Sequence, residues 1–306
     1  MKSKRFVIFP PYNPQFYFSS DLYNYDNRNS LFYHPYNKIA ALVWLVMLRF
    51  TFINRLTSLP FKNLPDHVKQ IIARIDLPQA SFQINCGTKG PDQKLTVIRH
   101  QDSKEEFFKI AYSERGNELV KNEFEILSSL KGKFNSPLAI DYYMHNEYCY
   151  LQTQKIEAEK FKYNQIGIDV FNVLLSISSH EISQVNEFVY AFQHGDFCPW
   201  NLLKNGAVIH VIDWELAGQY PLGFDLFTYI FQTSFLLQPD LSNAEIFASN
   251  KTWLNKYFNN FKVESWVDYL NAFIAIKLKH EGKKDVSSLL YKKYKLLESE
   301  LKSNMV

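Results

Sequence analysis

Three polar side chains in one stretch of the chain have the types and the spacing that phosphoryl transfer needs. Asp196 and Asn201 lie five residues apart in the run H-G-D-x-x-x-x-N, and Asp213 follows Asn201 by twelve residues, after an apolar strand pattern. Phosphoryl transfer requires a carboxylate that orients and deprotonates the acceptor hydroxyl, and oxygen ligands that hold Mg²⁺ against the phosphates. We expect Asp196 to be the catalytic base and Asn201 and Asp213 to be the metal ligands.

The stretch around these residues, 193–226, resembles the aminoglycoside phosphotransferase and choline kinase superfamily. The resemblance rests on the H-G-D-x-x-x-x-N and I-D-W-E motifs and on the G-F-D-L element that follows them. It extends over 79–306 and implies an α+β, protein-kinase-like fold of two lobes, with an antiparallel-sheet N-lobe and a mainly helical C-lobe. It also implies ATP and Mg²⁺ as cofactors and an alcohol group as the acceptor, which is the chemistry of a phosphotransferase.

Neighbouring residues of the motifs have predicted supporting roles. We expect His194 to be a structural hydrogen-bonding group, and we expect Asp225 to order the loop around Asp196 by hydrogen bonding. Glu215 lies two residues after Asp213. It either approaches the metal or faces solvent, and the sequence leaves both readings open.

The motifs depart from those of a protein kinase in two ways. Gly195 stands where a protein kinase carries the arginine that reads a phosphorylated activation loop. Only eleven residues separate Asp213 from Asp225, and no A-P-E element occurs, so an activation segment does not fit. Without this segment there is no room for the usual peptide platform, which favours a small-molecule hydroxyl acceptor.

Length and composition agree with a globular enzyme of two lobes. A chain of 306 residues exceeds the usual size of one core, and its aromatic content of 16% predicts cores rich in large rings. The net charge of +3 does not imply a nucleic-acid partner. The three cysteines have no paired spacing, which argues against a disulfide framework or a zinc site. This pattern fits a reducing compartment, so we expect a cytoplasmic protein.

The leading section, 1–78, is not explained by the family resemblance, and we interpret it as an N-terminal extension packed on the kinase body. Its first part is aromatic and proline-rich, which favours extended segments and turns. Two helices are predicted, Lys38–Leu56 and Pro65–Ile75. The apolar run Ile39–Leu48 is half the length of a membrane span, and because it is apolar all round we expect a buried helix. A helix lying on a membrane surface is the less favoured alternative.

The N-lobe is expected to span 79–155 and to begin with two strands, Ser81–Asn85 and Leu95–Arg99. The segment between them carries Gly87 and Gly90. Two glycines three residues apart suit a loop that covers the ATP phosphates, but they are also common in ordinary hairpin turns. The sequence therefore leaves both readings of this loop open.

A lysine and a glutamate in the N-lobe are predicted to form an ion pair at the phosphates. Lys109 lies between apolar neighbours on the strand Glu106–Ala111, where kinases carry the lysine that binds the α- and β-phosphates. The alternative is a lysine that faces solvent. On the predicted helix Glu114–Leu130, Glu123 falls on the apolar face, where a carboxylate is costly unless it is paired. Glu118 is the second choice of partner.

The C-lobe is expected to span 156–306 and to supply the acceptor site from helices within 240–300. Residues 251–306 contain eleven Lys against six Asp plus Glu. Because like charges oppose binding, this surplus argues against a polycationic aminoglycoside and favours a sugar or a sugar-bearing metabolite. A solvated helix face is the alternative explanation of the lysines. A kinase-fold binding or scaffold protein without turnover is the alternative to the enzyme.

Overall fold

The structure is a computed structural model that describes residues 5–9, 15–19, 42, 46, 58–75, 80–87, 90, 92–101, 104–145, 148–162 and 165–303. The chain divides into two compact units. Unit 1 comprises Met1–Val120 and Ala139–Lys155, and unit 2 comprises Lys121–Leu138 and Ile156–Val306. None of the helices in the described part of the chain has the length and hydropathy needed to cross a bilayer.

Unit 1 contains a sheet of eight strands in which every neighbouring pair is antiparallel, in the order β3-β1-β2-β4-β5-β6-β8-β7. The strands are β1 (Arg5–Phe9), β2 (Phe16–Ser19), β3 (Leu59–Pro60), β4 (Ser81–Asn85), β5 (Lys94–Gln101), β6 (Lys104–Ala111), β7 (Ala139–His145) and β8 (Tyr148–Thr153). The three strands predicted around the glycine loop and Lys109 are thus confirmed, with β5 and β6 longer than predicted.

One helix, α1 (Asp66–Ile75), packs on the core of this sheet. Val68, Ile72 and Ile75 are buried, and their spacing of three and four residues puts them on one helical face. At the end of the helix, Arg99 of β5 donates to the Ile75 carbonyl oxygen at 2.7 Å. The predicted helix Pro65–Ile75 is confirmed, and its amphipathic pattern explains why it forms on the sheet.

The predicted boundary at residue 79 falls inside this sheet. β1 and β2 precede the boundary, yet β2 pairs with β4, so the aromatic leader supplies strands of the predicted N-lobe. The pairing is decided by side chains of β1 and β2 that are almost completely buried, and a local pattern does not reveal such partners. The predicted helix Lys38–Leu56 lies outside the described residues except for Leu42 and Val46, which are helical and exposed.

Unit 2 contains two small antiparallel sheets and most of the helices. The sheets have the orders β10-β11-β14 and β13-β12-β9. Their strands are β9 (Glu159–Lys160), β10 (Ile182–Val185), β11 (Phe188–Gln193), β12 (Leu202–Asn205), β13 (Val208–Val211) and β14 (Gly218–Pro221). The helices after α1 are α2 (Glu114–Leu130, shared by both units), α3 (Ile168–Ser178), α4 (Phe224–Phe227), α5 (Thr233–Leu237), α6 (Asn243–Asn260), α7 (Val267–Lys284) and α8 (Leu289–Lys302).

The helical segment Phe224–Leu237 is interrupted. A π-helical turn, Thr228–Gln232, separates α4 from α5. A π turn changes the phase of the side chains that follow it and is frequent at functional sites. Gln232, the last residue of this turn, donates a hydrogen bond to Asp196.

Aromatic rings fill the core of unit 2. Phe231 packs edge-on against Phe247, and Phe235 packs edge-on against Tyr294. Trp214, which is completely buried, stacks on Phe192 and packs edge-on against His194. The high aromatic content predicted large core side chains, and these rings supply them.

Candidate functional site

The loop between β11 and β12, residues 194–201, carries the predicted base, and we call it the catalytic loop for that reason. Gly195 enters it with a φ of +86°, and a Cβ there would lie 2.3 Å from the carbonyl oxygen of Leu216. Backbone atoms cannot give way at that distance, and only glycine adopts this φ without strain. The backbone therefore excludes the arginine that a protein kinase carries at this position.

Buried hydrogen bonds hold the start of the loop. Both carboxylate oxygens of Asp225 accept backbone N–H groups, from His194 at 2.6 Å and from Gly195 at 2.9 Å. Burial raises the pKa of Asp225, whereas its interaction with His194, these two donors and the charge of Lys277 act in the opposite direction. Asp225 therefore orders the loop, as predicted.

His194 uses both ring nitrogens within the protein. Its Nδ1 accepts the N–H of Asp196 at 3.3 Å, so its Nε2 carries the proton and donates to the Ile212 carbonyl oxygen at 2.9 Å. A ring that is bonded at both nitrogens supports the loop and is not placed to transfer a proton to or from a substrate. This agrees with the structural role predicted for it.

Each oxygen of the Asp196 carboxylate accepts a hydrogen bond from a side-chain amide. Oδ1 accepts from Gln232 Nε2 at 2.7 Å, and Oδ2 accepts from Asn201 Nδ2 at 3.0 Å. Two donors on different elements limit rotation of the carboxylate. This is the arrangement that a general base requires.

The thiol of Cys198 lies beside the base. Its Sγ is 3.8 Å from Asp196 Oδ1, and Gln232 Nε2 is 3.5 Å from the sulfur. Burial, reinforced by the charge of Asp196, raises the pKa of the Cys198 thiol well above its ordinary value. The sulfur is therefore a neutral thiol, which lacks the nucleophilicity of a thiolate.

The β12–β13 hairpin brings Asn201 next to Asp213. Ile212 N–H donates to the Asn201 carbonyl oxygen at 3.0 Å, directly before Asp213. Asp213 has a φ of +70°, in the left-handed region that is strained for most side chains and concentrated at functional sites. Since the Asn201 amide nitrogen is bound to Asp196, its Oδ1 is the atom that can face a cation.

Three carboxylates of unit 2 converge after β13. Glu123, Asp213 and Glu215 each place one oxygen within 4.8 Å of the other two. Next to Glu123 on α2, Asn122 Nδ2 donates to the Glu215 carbonyl oxygen at 2.9 Å and so links this part of the helix to the residues after β13. The geometry thus brings Glu215 to Asp213, which the sequence left open. Hard oxygen ligands of this kind suit a divalent cation such as Mg²⁺.

The remaining predicted site residues belong to unit 1. Lys109 is half-buried on β6, between its register partners Thr96 and Leu151. Gly87 has a φ of +63°, and a Cβ there would lie 2.6 Å from the Lys94 carbonyl oxygen, so the turn itself requires glycine. The pairing of Lys109 with Glu123 and the contact of this loop with phosphates stay predictions.

Two residues of the site were missed in the sequence, Gln232 and Lys277. Lys277 Nζ donates to Gln232 Oε1 at 3.1 Å, and both side chains are buried. A signal for Lys277 was present, because it follows Leu270 by seven residues and Ile274 by three, on the apolar stripe of α7. The helical period that selected Glu123 would have selected Lys277 as well.

The profile of a family described as "Phosphotransferase enzyme family" matches residues 157–248, which contain Asp196, Asn201, Asp213 and Asp225. The predicted resemblance is confirmed. The match also bears out the predicted enzyme class, a phosphotransferase. No curated protein matches the sequence of the chain.

Solved structures of kinases share the fold at very low sequence identity. An aminoglycoside-3'-phosphotransferase of type VIII is 12% identical with a TM-score of 0.53, and the match covers 75% of this chain and 100% of that chain. An amicoumacin kinase in complex with AMP-PNP, Ca²⁺ and Ami is 9% identical with a TM-score of 0.53, covering 78% and 94%. Aminoglycoside phosphotransferase APH(4)-Ia is 10% identical with a TM-score of 0.50, covering 76% and 97%. The predicted α+β, protein-kinase-like fold class is confirmed.

Proposed function

We propose that the protein is an ATP- and Mg²⁺-dependent kinase that moves the γ-phosphoryl group to a hydroxyl of a small molecule. The observation that carries the proposal is the Asp196 carboxylate, which two amide donors hold beside the oxygen ligands of Asn201 and Asp213. A phosphotransferase needs an oriented carboxylate next to a metal-binding set, and little further covalent chemistry. Both parts lie within the segment that matches the phosphotransferase family.

Each residue has a proposed role. Asp196 accepts the proton of the acceptor hydroxyl, while Asn201 Oδ1 and Asp213 hold Mg²⁺. Glu215 lies close enough to Asp213 to add a third ligand. Lys109 binds the α- and β-phosphates and pairs with Glu123, and the loop with Gly87 and Gly90 covers the phosphates. When bound, Mg²⁺ neutralises charge that develops on the phosphates.

The acceptor is proposed to be a sugar or a sugar-bearing metabolite. Most of the lysines that motivated this expectation are exposed, as a solvated helix face would be, and within 251–303 only Lys277 is buried. Lys277 is also the lysine linked to the base, through Gln232. A cation at this place opposes a polycationic acceptor, so a neutral or anionic hydroxyl compound fits better.

A metabolite panel tests the proposal. The protein is mixed with Mg·ATP and neutral sugars, sugar phosphates, nucleosides, amino alcohols or aminoglycosides, and ADP formation is followed by a coupled assay. We expect acceptor-dependent ADP from a sugar class in the native protein and not in Asp196→Asn. Binding of Mg·ATP with no turnover on any acceptor or on water would instead favour a kinase-fold binding protein.

A further inference from the structure

Two buried polar side chains form a hydrogen-bonded chain that ends on the proposed base, Asp196. Lys277 Nζ donates to Gln232 Oε1 at 3.1 Å, and Gln232 Nε2 donates to Asp196 Oδ1 at 2.7 Å. Lys277 and Gln232 are 5% and 8% exposed, so bulk water does not compete for these bonds. The three residues come from α7, from the π turn and from the catalytic loop. Together they form the Lys277–Gln232–Asp196 chain.

The ammonium of Lys277 decides which way the Gln232 amide points. A side-chain amide has an accepting oxygen and a donating nitrogen, and an ammonium can only donate. With Lys277 on one side, the oxygen of Gln232 must face it, and the NH₂ group must face Asp196. Without Lys277, the amide could turn and present its oxygen to the carboxylate, which would repel it.

The surroundings of Lys277 show what else stabilises its charge. The Phe224 and Phe273 rings lie 5.0 and 5.7 Å from its Nζ, and the carboxylate of Glu281 on the same helix interacts with its charge. Burying an ammonium is costly even with such partners, and an apolar side chain would fill the same space without this cost. Packing alone therefore does not explain a lysine at this position.

We propose that Lys277 is a positioning residue for Asp196 and acts through Gln232, an inference that rests on the proposed kinase function. By fixing the amide of Gln232, it keeps one donor on Asp196 Oδ1 while Asn201 keeps another on Oδ2. The carboxylate then has one orientation toward the acceptor hydroxyl. Such positioning affects the chemical step more than the binding of nucleotide.

Four further ionisable groups surround the Lys277–Gln232–Asp196 chain and must stay unchanged in a test. Cys198 of the catalytic loop touches both Asp196 and Gln232. Asp225 of α4 and Glu281 of α7 lie within electrostatic range of Lys277. The buried hydroxyl of Tyr294 on α8 interacts electrostatically with Asp196. None of these residues is altered in the variants that follow.

The experiment measures phosphate release from Mg·ATP with water as the acceptor. The variants are Gln232→Leu, Lys277→Met and the two combined, with Lys293→Met as the matched control. Like Lys277, Lys293 donates to a carbonyl oxygen and faces an aromatic ring, but its partners are the Pro239 backbone and Phe235 rather than Gln232. We expect each single variant to lower kcat by about 10- to 100-fold with KM for Mg·ATP unchanged. The double variant should be no slower than the slower single variant, and the control should match the native protein.

Gln232→Glu is a conservative variant that tests the same hydrogen bond with little change in side-chain size. Glutamate keeps the shape of the side chain and its contact with Lys277, but it removes the donor to Asp196. Because a second carboxylate oxygen then faces Asp196, we expect a lower melting temperature than in the native protein, but a cooperative thermal transition that shows the variant is folded, together with a similarly reduced kcat. Losses that multiply in the double variant, or a native kcat in Gln232→Glu, would overturn the proposal.

A readout without turnover separates this inference from the proposed function. In ¹⁵N-labelled protein, the side-chain NH₂ signal of Gln232, assigned with Gln232→Leu, reports whether the amide is held. We expect slow hydrogen exchange of this group in the native protein and fast exchange in Lys277→Met. If the native protein does not turn over Mg·ATP, the kinase proposal fails, and the NH₂ signal alone decides whether Lys277 holds Gln232. Equal exchange in both proteins would overturn that role.

Discussion

Glu123 and Asp213 each place a carboxylate oxygen within 4.8 Å of the other, and Glu123 is 1% exposed. Two carboxylates at this distance repel each other unless a cation lies near them. The cation can be a bound metal ion, or it can be the ammonium of Lys109, which the sequence pairs with Glu123. The two explanations make different predictions for variants.

The first prediction concerns the Lys109–Glu123 pair. Lys109→Ala and Glu123→Ala should each lower kcat/KM for Mg·ATP by about 10²-fold, because each holds the other in place for the phosphates. The double variant should lose little more than either single variant. Steady-state kinetics on the native protein, the two single variants and the double variant gives the coupling free energy between Lys109 and Glu123. If the losses of activity multiply in the double variant, Glu123 acts with Asp213 and Glu215 and not with Lys109. Glu118 would then be the favoured partner of Lys109.

The second prediction concerns the metal. Asn201→Ala and Asp213→Ala should each weaken binding of Mg·ATP, and Asp213→Ala by at least about tenfold, since an ionised carboxylate is the stronger hard-oxygen ligand. Calorimetric titration with Mg·ATP measures both. Asp240→Ala, which removes an exposed carboxylate, is the matched control. Unchanged affinity in Asp213→Ala would remove this residue from the metal site.

The third prediction concerns the base. Asp196→Asn keeps the size of the side chain but cannot take up the proton of the acceptor hydroxyl. Turnover should fall by about 10²- to 10⁴-fold, while affinity for Mg·ATP changes little. Rate measurements and calorimetry on the same sample test both statements. A variant that phosphorylates its acceptor at nearly the native rate would show that Asp196 is not the base.

The site residues that could be predicted are those whose roles depend on local spacing. Asp196, Asn201 and Asp213 follow from one short stretch, because a loop and a hairpin of fixed length bring them together. Glu123 followed from the helical period, since a buried carboxylate stands out on an apolar face. Gln232 could not be found in this way, because the π turn that ends at it changes the helical phase.

The part of the fold that was mispredicted depends on distant partners. Strand β2 lies between β1 and β4, and all four of its side chains are buried. A strand buried on both faces shows no alternation of apolar and polar residues, so its period does not reveal it. The predicted start of the N-lobe at residue 79 therefore comes after β1 and β2, two strands that belong to the sheet.

The fourth prediction concerns pH and the ion pair of Asp169 with Lys204. Their hydrogen bond, at 2.9 Å, lowers the pKa of Asp169 despite partial burial. A carboxyl whose pKa is lower in the folded state stabilises the protein above its unfolded pKa, near 3.9, and this stabilisation is lost as pH falls through the lower, folded value. The difference in melting temperature between the native protein and Asp169→Asn should therefore shrink between about pH 6 and pH 3.

Salt provides the control for this pair. Asp169 and Lys204 are 38% and 31% exposed, so solvent and ions screen part of their attraction. At about pH 6, high salt should also reduce the difference between the two proteins. A difference that depends on neither pH nor salt would mean that Asp169 acts by packing or by its bond to the Val170 N–H group.

The last prediction concerns Gly195, where the backbone approaches Leu216. Gly195→Ala must place a Cβ 2.3 Å from the Leu216 carbonyl oxygen at a φ of +86°, so the catalytic loop has to shift. Gly206→Ala is the matched control, because Gly206 also has a positive φ of +59° but no atom lies within 4 Å of its Cβ position. The control should lose about 1 kcal/mol of unfolding free energy and keep its activity. Gly195→Ala should lose about 1–3 kcal/mol more and most of its turnover, because the shift moves Asp196. Urea denaturation and phosphate release measure the two effects, and equal behaviour of the two variants would show that the contact with Leu216 does not constrain the loop.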